Sequence, residues 1–309
     1  MEYRSIGKSG LRVSAVGLGG NNFGGRAGDE ASIDVINQAI EMGINFIDTA
    51  AAYTEGRSEE LVGKAVKGKR SRVIIATKFG NPRSVGPGEQ PGSRRHIVQS
   101  AEASLRRLGT DYIDLYYLHY PDLETPIEET LRALDDLVRT GKVRYIACCN
   151  FAAWQLSDAL WTSRFNNLES FIAVQSRYNL LDRSIEKELA PCCQAHDVGV
   201  IPWGPLASGF LTGKYQRGKV IPAGTRFASA APMTIYNDVM TDANFDKLGK
   251  WEVFAKERGH SVGELAIAWL LAHPWLGSVI AGAMNKDELV DNVKAAGWKL
   301  TAEDVRELG

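Results

Sequence analysis

Eight short runs rich in β-branched and aromatic residues recur along this chain, and most are separated by a stretch with the period of an amphipathic helix. The runs are VSAVGLG (13–19), INFIDTA (44–50), RVIIATKF (72–79), YIDLYYLH (112–119), VRYIACCN (143–150), FIAVQSRY (171–178), VGVIPWG (198–204) and GSVIAGA (277–283). Between them SIDVINQAIEMG, RSEELVGKAVKG, RRHIVQSAEASLRRLG, PIEETLRALDDLVRTG and KDELVDNVKAAG carry apolar residues at three-to-four spacing and end in glycine, the residue that most easily takes a left-handed cap. In TPIEET, Thr125 reads as the N-cap, Pro126 as the first helical residue and Glu128 as a capping-box partner. Strands alternating with helices imply a parallel sheet, and eight units imply closure into a (β/α)8 TIM barrel spanning residues 1–309 as one domain. An open dinucleotide-binding sheet is disfavoured. The first turn, GLGGNNFGG, is glycine-rich but runs into a longer loop, and no acidic residue ends the second run where a ribose contact belongs.

Two segments stand outside the repeat. Tyr3 to Ile6, a turn at 8–10 and Leu11 to Val13 read as a β-hairpin plugging the barrel bottom. After the seventh run, residues 205 to about 242 are rich in Gly, Pro, Ala and Ser, a long loop of the kind that is usually functional or disordered.

Composition narrows the partners. Lys+Arg 36 against Asp+Glu 37 leaves a formal net charge of -1, which offers nothing to nucleic acid or an anionic membrane. The start, MEYRSIGKSG, lacks the apolar centre of a secretory signal, and the apolar stretch 266–283 is interrupted by His273 and Pro274, so a cytoplasmic protein is expected. The four cysteines fall in adjacent pairs, Cys148–Cys149 and Cys192–Cys193, a spacing that suits neither a zinc site nor a disulfide framework.

Four polar residues stand at or just past the ends of three consecutive runs: Asp48 after INFI, Tyr53 five residues on, Lys78 after VIIAT and His119 after YIDLYYL. In a parallel barrel those ends meet at one mouth. A phenol is a weak acid at neutral pH, and a nearby ammonium lowers its pKa. Asp48 would hold Lys78 in place, and His119 would orient a carbonyl oxygen. Singly, each has a structural explanation: a turn cap, a loop aromatic, a helix ion pair, a core histidine. Their joint placement favours a site for proton transfer to an oxygen whose carbon accepts hydride.

The motifs NFIDTAAAY (45–53), ATKF (76–79), YLHYPD (117–122), GKVRYIACCNF (141–151), AVQSRYNLLDR (173–183), PWGPLASGFLTGKY (202–215) and GAMNKDELVDN (282–292) together resemble the aldo-keto reductase superfamily, in its bacterial and plant branch with a long seventh loop. The resemblance implies Tyr53 as general acid/base tuned by Lys78 and Asp48, with His119 positioning the carbonyl. It implies NADP(H) or NAD(H) as cofactor, with no metal. Gly20, Asn150, Gln175 and Trp203 would serve the nicotinamide half, and Leu206, Ser208, Gly209 and Lys214 the pyrophosphate. Gly282, Met284, Lys286, Glu288 and Asn292 would serve the adenosine half. Asn22, Phe23 and Tyr120, with parts of 216–240, would line the substrate site. A small-molecule carbonyl or alcohol is the implied partner; oligomeric state is left open. An oxidative sugar or pyridoxal-type dehydrogenase and a cofactor-binding regulatory subunit of a membrane channel are the alternatives.

The chain departs from the family pattern at several positions. Cys149 stands where serine usually contacts the carboxamide. Ala51 stands for a frequent aspartate and Thr54 for a frequent glycine. Met284 and Asn285 stand where Arg or Lys pairs with a 2′-phosphate, and Glu288 replaces a common glutamine. A carboxylate repels a phosphate but accepts a hydrogen bond from a ribose hydroxyl, so weak discrimination between cofactors is expected, with Lys286 or Arg226 as the alternative phosphate partner.

Overall fold

The computed structural model describes residues 1–228 and 238–308. Strands β1 (Tyr3–Ser5) and β2 (Arg12–Ser14) pair antiparallel as the expected hairpin. The eight expected runs form β3 (Val16–Gly19), β4 (Phe46–Asp48), β5 (Ile74–Phe79), β6 (Ile113–Leu118), β7 (Val143–Cys149), β8 (Ala173–Arg177), β9 (Gly199–Trp203) and β10 (Val279–Gly282). They lie parallel in one sheet of order β10-β3-β4-β5-β6-β7-β8-β9. The ring closes between β9 and the residues leading into β10, where the Gly277 N–H donates to the Val200 carbonyl at 3.0 Å. The first run, read as continuous from 13 to 19, divides at Ala15 between hairpin and barrel.

The helices on the outside are α1 (Asp29–Glu41), α2 (Arg57–Val66), α3 (Arg94–Leu108), α4 (Ile127–Arg139), α5 (Ala153–Asn166), α6 (Leu189–Ala195), α7 (Asp242–Glu257), α8 (Val262–Leu271), α9 (Lys286–Ala295) and α10 (Ala302–Glu307). Helix α3 ends on Gly109 at φ +61, the left-handed cap read from the sequence. Helix α4 corrects its expected start: Pro126 is the N-cap and there is no capping box. The Thr125 hydroxyl instead donates to Asp122 at 2.7 Å, and the Glu128 carboxylate takes Arg132. Asp122 also accepts from the Gly92 and Glu124 N–H groups, so it is the stronger local acceptor and takes the hydroxyl that the cap needed.

Two apolar cores result. The larger lies between strands and helices. The smaller fills the barrel, where Phe46, Ala76, Leu115, Tyr117, Ala147, Ala173, Ile201 and Ile280 face the axis. Ile6, Leu11 and Val13 of the hairpin belong to that inner cluster, so the hairpin does seal one end. Each buried aliphatic side chain there stabilises by about 1.5–3 kcal/mol. Gly17 supplies clearance in the wall: a Cβ would stand 2.6 Å from Ile280 and 2.9 Å from Phe46. Side chains alternate along a strand, so the residue two beyond each inward apolar one also faces the axis, nearer the C-terminal end. Those residues are Asp48, Lys78, His119, Cys149, Gln175, Trp203 and Gly282.

The expected long connection runs from β9 to α7. Its first part winds into a 3-10 segment, Ala207–Thr212. Residues 229–237, part of the stretch expected near the substrate, lie outside the described residues.

Candidate active site

The ends of β4, β5 and β6 bring the four expected residues together. The Lys78 ammonium donates to Asp48 at 2.5 Å, to the Thr49 carbonyl at 2.9 Å and reaches the Tyr53 hydroxyl at 3.4 Å. Lys78 and Asp48 are almost wholly buried. Burial works against the ammonium, but Asp48 and Tyr53 more than offset it and hold Lys78 charged. The His119 ring stands edge-on to Tyr53 with centroids 5.9 Å apart. Burial, then the Lys78 charge, drives the imidazole down to about 3, so it is neutral at physiological pH, and its Nδ1 is buried without a partner among the described residues.

Tyr53 differs from its sequence expectation in one respect. The ammonium does pull its pKa down, but burial pushes harder the other way, helped by Asp48, and the phenol sits at about 12. Tyr53 is half-buried, and the packing around it disfavours a phenolate, so Tyr53 is held as the protonated acid.

The segment carrying Tyr53 is strained and braced. Thr54 at φ 48 and Glu55 at φ 54 are left-handed, at a cost of about 1 kcal/mol or more each. Thr54 occupies a position for which glycine would be the easier residue, and its hydroxyl donates to the Phe23 carbonyl at 2.9 Å. Immediately after, the Arg107 side chain packs against Gly56. Arg107 donates to the fully buried Glu59 at 2.6 Å, which also accepts from Thr77. This pair ties α2 and α3 to β5 and fixes the turn that presents the phenol.

A second chain of polar contacts was not legible in the sequence. The Cys149 thiol donates to the Gln175 amide oxygen at 3.4 Å, and the Gln175 amide nitrogen donates to Asp48 at 2.8 Å. Gln175 and Cys149, expected against a carboxamide, are here bonded to each other and to the carboxylate that holds Lys78. Asn150, left-handed at φ 60, donates to the His119 carbonyl at 3.0 Å and accepts from the Trp203 indole N–H at 3.0 Å. That contact sets the Trp203 ring at the mouth. The Thr49 and Ser58 hydroxyls, 2.7 Å apart, and a Ser58 bond to the Gly20 carbonyl tie β3 to the same rim. Only registry between strands reveals these partners. A Ser or Thr beside a strand end is too common to signal them.

The remaining candidates spread around the mouth. Leu206, Ser208 and Gly209 lie in the turn after β9, with Ser208 at φ +60 and Gly209 at φ +91. A Cβ on Gly209 would meet the Lys214 stem at 2.6 Å, so glycine lets that lysine fold back over the turn. Asn292 donates to the Gly282 carbonyl at 3.2 Å, and the Asn22 amide packs beside Gly282. Asn285 is the N-cap of α9, and Glu288 reaches back to the Met284 N–H at 2.9 Å. Glu288 therefore faces the helix N-terminus rather than solvent, while Lys286 is exposed. Arg226 is close enough to Tyr53 and Arg26 for their charges to act on it, and Arg26 donates to the Gly224 carbonyl at 3.1 Å. The described part of the long loop is thus tied at Gly224 to the loop after β3. Tyr120 is exposed and stacks on His119 at 5.0 Å. Phe23 corrects its expectation: it is 0% exposed and belongs to the outer core, so it offers no surface to a ligand.

These residues fit a dinucleotide. A half-buried indole beside an acid–ammonium pair, a glycine turn with a lysine folded over it, and a helix N-terminus at β10 follow one another along the rim. Among the described residues no helix is long and apolar enough to cross a membrane.

Relatives agree with the geometry. The chain is 37% identical over 302 residues to a probable voltage-gated potassium channel subunit beta of Arabidopsis thaliana, covering 96% of this chain and 91% of that protein. It is 36% identical to versiconal hemiacetal acetate reductase of Aspergillus parasiticus, covering 100% and 96%. It is 35% identical to the aldo-keto reductase YhdN of Bacillus subtilis (strain 168), covering 100% and 92%. Residues 15–309 match the aldo/keto reductase family profile, and with a barrel mouth built in this way the chain belongs to the aldo/keto reductase family.

Proposed function

We propose that this NAD(P)(H)-dependent oxidoreductase works mainly as a reductase of small aldehydes, ketones or open-chain aldoses, with Tyr53 as the proton donor. The carrying observation is the Tyr53 hydroxyl 3.4 Å from the buried Lys78 ammonium, which Asp48 holds at 2.5 Å. The nicotinamide dinucleotide supplies the hydride when bound. As the carbonyl carbon accepts that hydride, the carbonyl π electrons move to oxygen, and the Tyr53 O–H proton transfers to it. Lys78 stabilises the phenolate left behind, and Asp48 fixes Lys78. Neutral His119 supplies an N–H to orient the oxygen without competing as an acid. Gly20, Asn150, Gln175 and Trp203 would hold the nicotinamide end, Leu206, Ser208, Gly209 and Lys214 the pyrophosphate, and Gly282, Met284, Lys286, Glu288 and Asn292 the adenosine end.

Glu288, bonded to the Met284 N–H beside the N-terminus of α9, puts a carboxylate where a 2′-phosphate would have to compete for that N–H. This supports tolerance of NADH. Steady-state reduction of a panel of aliphatic, aromatic and sugar aldehydes with both cofactors tests the reading. Turnover with no aldehyde or ketone sinks the reductase, and a preference for NADPH above about a hundredfold sinks the tolerance.

A regulatory role has one observation in its favour, the channel-subunit name of a relative 37% identical to the chain. Such a role uses the same site slowly. Multiple turnovers at about 1 per second or faster on any carbonyl in the panel would set it aside.

A further inference from the structure

We propose that the outward face of α5 is a self-association surface, on which a second copy of this chain docks as an antiparallel, two-fold-symmetric helix pair. Trp154, Trp161 and Phe165 are 66%, 57% and 87% exposed. With Asp158 they follow a 4-3-4 spacing, so all four share one helix face. The opposite face buries Leu156, Ala159 and Ser163 against the barrel. Helix α5 is therefore apolar on both sides. Its neighbour α4 shows the ordinary alternative: Glu128, Arg132, Asp136 and Arg139 face water and pair with charged side chains. Aromatic rings left in water forgo about 1.5–3 kcal/mol each relative to burial, and three of them along one helix mark a surface that is covered in use.

The surface matches itself better than it matches another class of partner. Aromatic side chains carry about 150–250 Å² each, so these exposures leave about 400 Å² per copy and about 800 Å² across a pair. Specific interfaces bury roughly 1,200–2,000 Å², and the flanks of α5 around Ser157, Leu160 and Arg164 adjoin the stripe to supply the rest. The face holds one carboxylate, Asp158, and its flank one guanidinium, Arg164, and neither forms an ion pair among the described residues. The Arg164 guanidinium lies over the Trp161 ring at 5.1 Å. Asp158 and Arg164 stand three residues either side of Trp161. A two-fold axis beside Trp161 therefore brings each to the height of its opposite charge on the partner helix, the self-complementarity an isologous contact requires. An anionic lipid surface would need a basic polar margin, and α5 has one arginine balanced by one aspartate.

Sedimentation velocity of the full chain between about 0.1 and 100 μM tests this. A dimer of twice 33.8 kDa is expected. Trp161→Glu and Phe165→Glu should each weaken it at least about a hundredfold, with carbonyl turnover unchanged and with melting temperature unchanged at concentrations where wild type and variant are both monomeric. Asp158→Arg and Arg164→Asp should each weaken it, and the two together should restore it to within a few-fold. A wild-type monomer at the highest concentration overturns the proposal, whatever else the face binds. So does an oligomer that both glutamate substitutions leave intact.

Discussion

The two ends of the barrel are built from the same strands and do opposite things. At the plugged end, Ile6, Leu11 and Val13 join Phe46, Ala76 and Leu115 in one buried apolar cluster. Two residues further along β4 and β5, the same inward column holds Asp48 and Lys78, both buried and bonded to each other. The contrast teaches that the fold keeps stability and chemistry in separate layers. The plug needs only shape and apolar area. The mouth buries charges that stabilise little once desolvation is counted, but lose much if one partner is removed.

The sharpest way to break this contrast is Lys78→Met. It leaves Asp48 buried with the Gln175 amide as its side-chain partner, at a cost of about 3–5 kcal/mol in denaturant unfolding. It also removes the cation that lowers the Tyr53 pKa, so that pKa rises and proton donation slows. Unchanged stability together with an unchanged pH–rate profile would contradict the pairing. Tyr53→Phe should cost at least about a hundredfold in kcat/KM for reduction, about 2.7 kcal/mol, while cofactor affinity and unfolding stay as they were. Full activity in this variant would make the phenol a bystander.

Ile6→Ala sharpens the contrast from the other side. It should cost about 2–4 kcal/mol in stability with kcat/KM unaltered below the unfolding transition. A matching loss of rate would show that the plug transmits strain to the mouth. Wild-type reduction should be level between about pH 5 and pH 9, because the phenol near 12 stays protonated and the imidazole near 3 stays neutral. The rate should fall only as pH rises far enough to ionise Tyr53. An acid limb near pH 6.5 would mean that His119 is solvated rather than buried. The smallest effect is expected for Glu288→Gln, a several-fold shift of kcat/KM toward NADPH, since one carboxylate charge is lost and the α9 cap is kept.

The four candidate catalytic residues were legible because they depend on short-range order. Asp48 and Lys78 stand at the C-terminal ends of consecutive runs, and the alternation of strands with helices places those ends together. Thr125 shows where local reading fails: its neighbour Asp122, already an acceptor for Gly92 thirty residues away, takes the hydroxyl from the helix cap. Tyr53 shows a second failure. A lysine beside a phenol is visible in a motif, but the degree of burial that outweighs it is not.

The amino-acid sequence alone determined the barrel, the plug, and the meeting of phenol, ammonium, carboxylate and imidazole, because these follow from the strand–helix repeat and from the places of the four residues at or just past the ends of consecutive strands. Tertiary structure decided what those groups bond to and what is left exposed. Cys149 and Gln175 turn to Asp48, Glu288 turns to the head of α9, and Phe23 turns inward, because hydrogen-bond partners and burial depend on segments tens of residues apart being packed in one register. The aromatic face of α5 belongs to that second category. A helix with apolar residues on two opposite sides does not declare which side meets the barrel until it is docked.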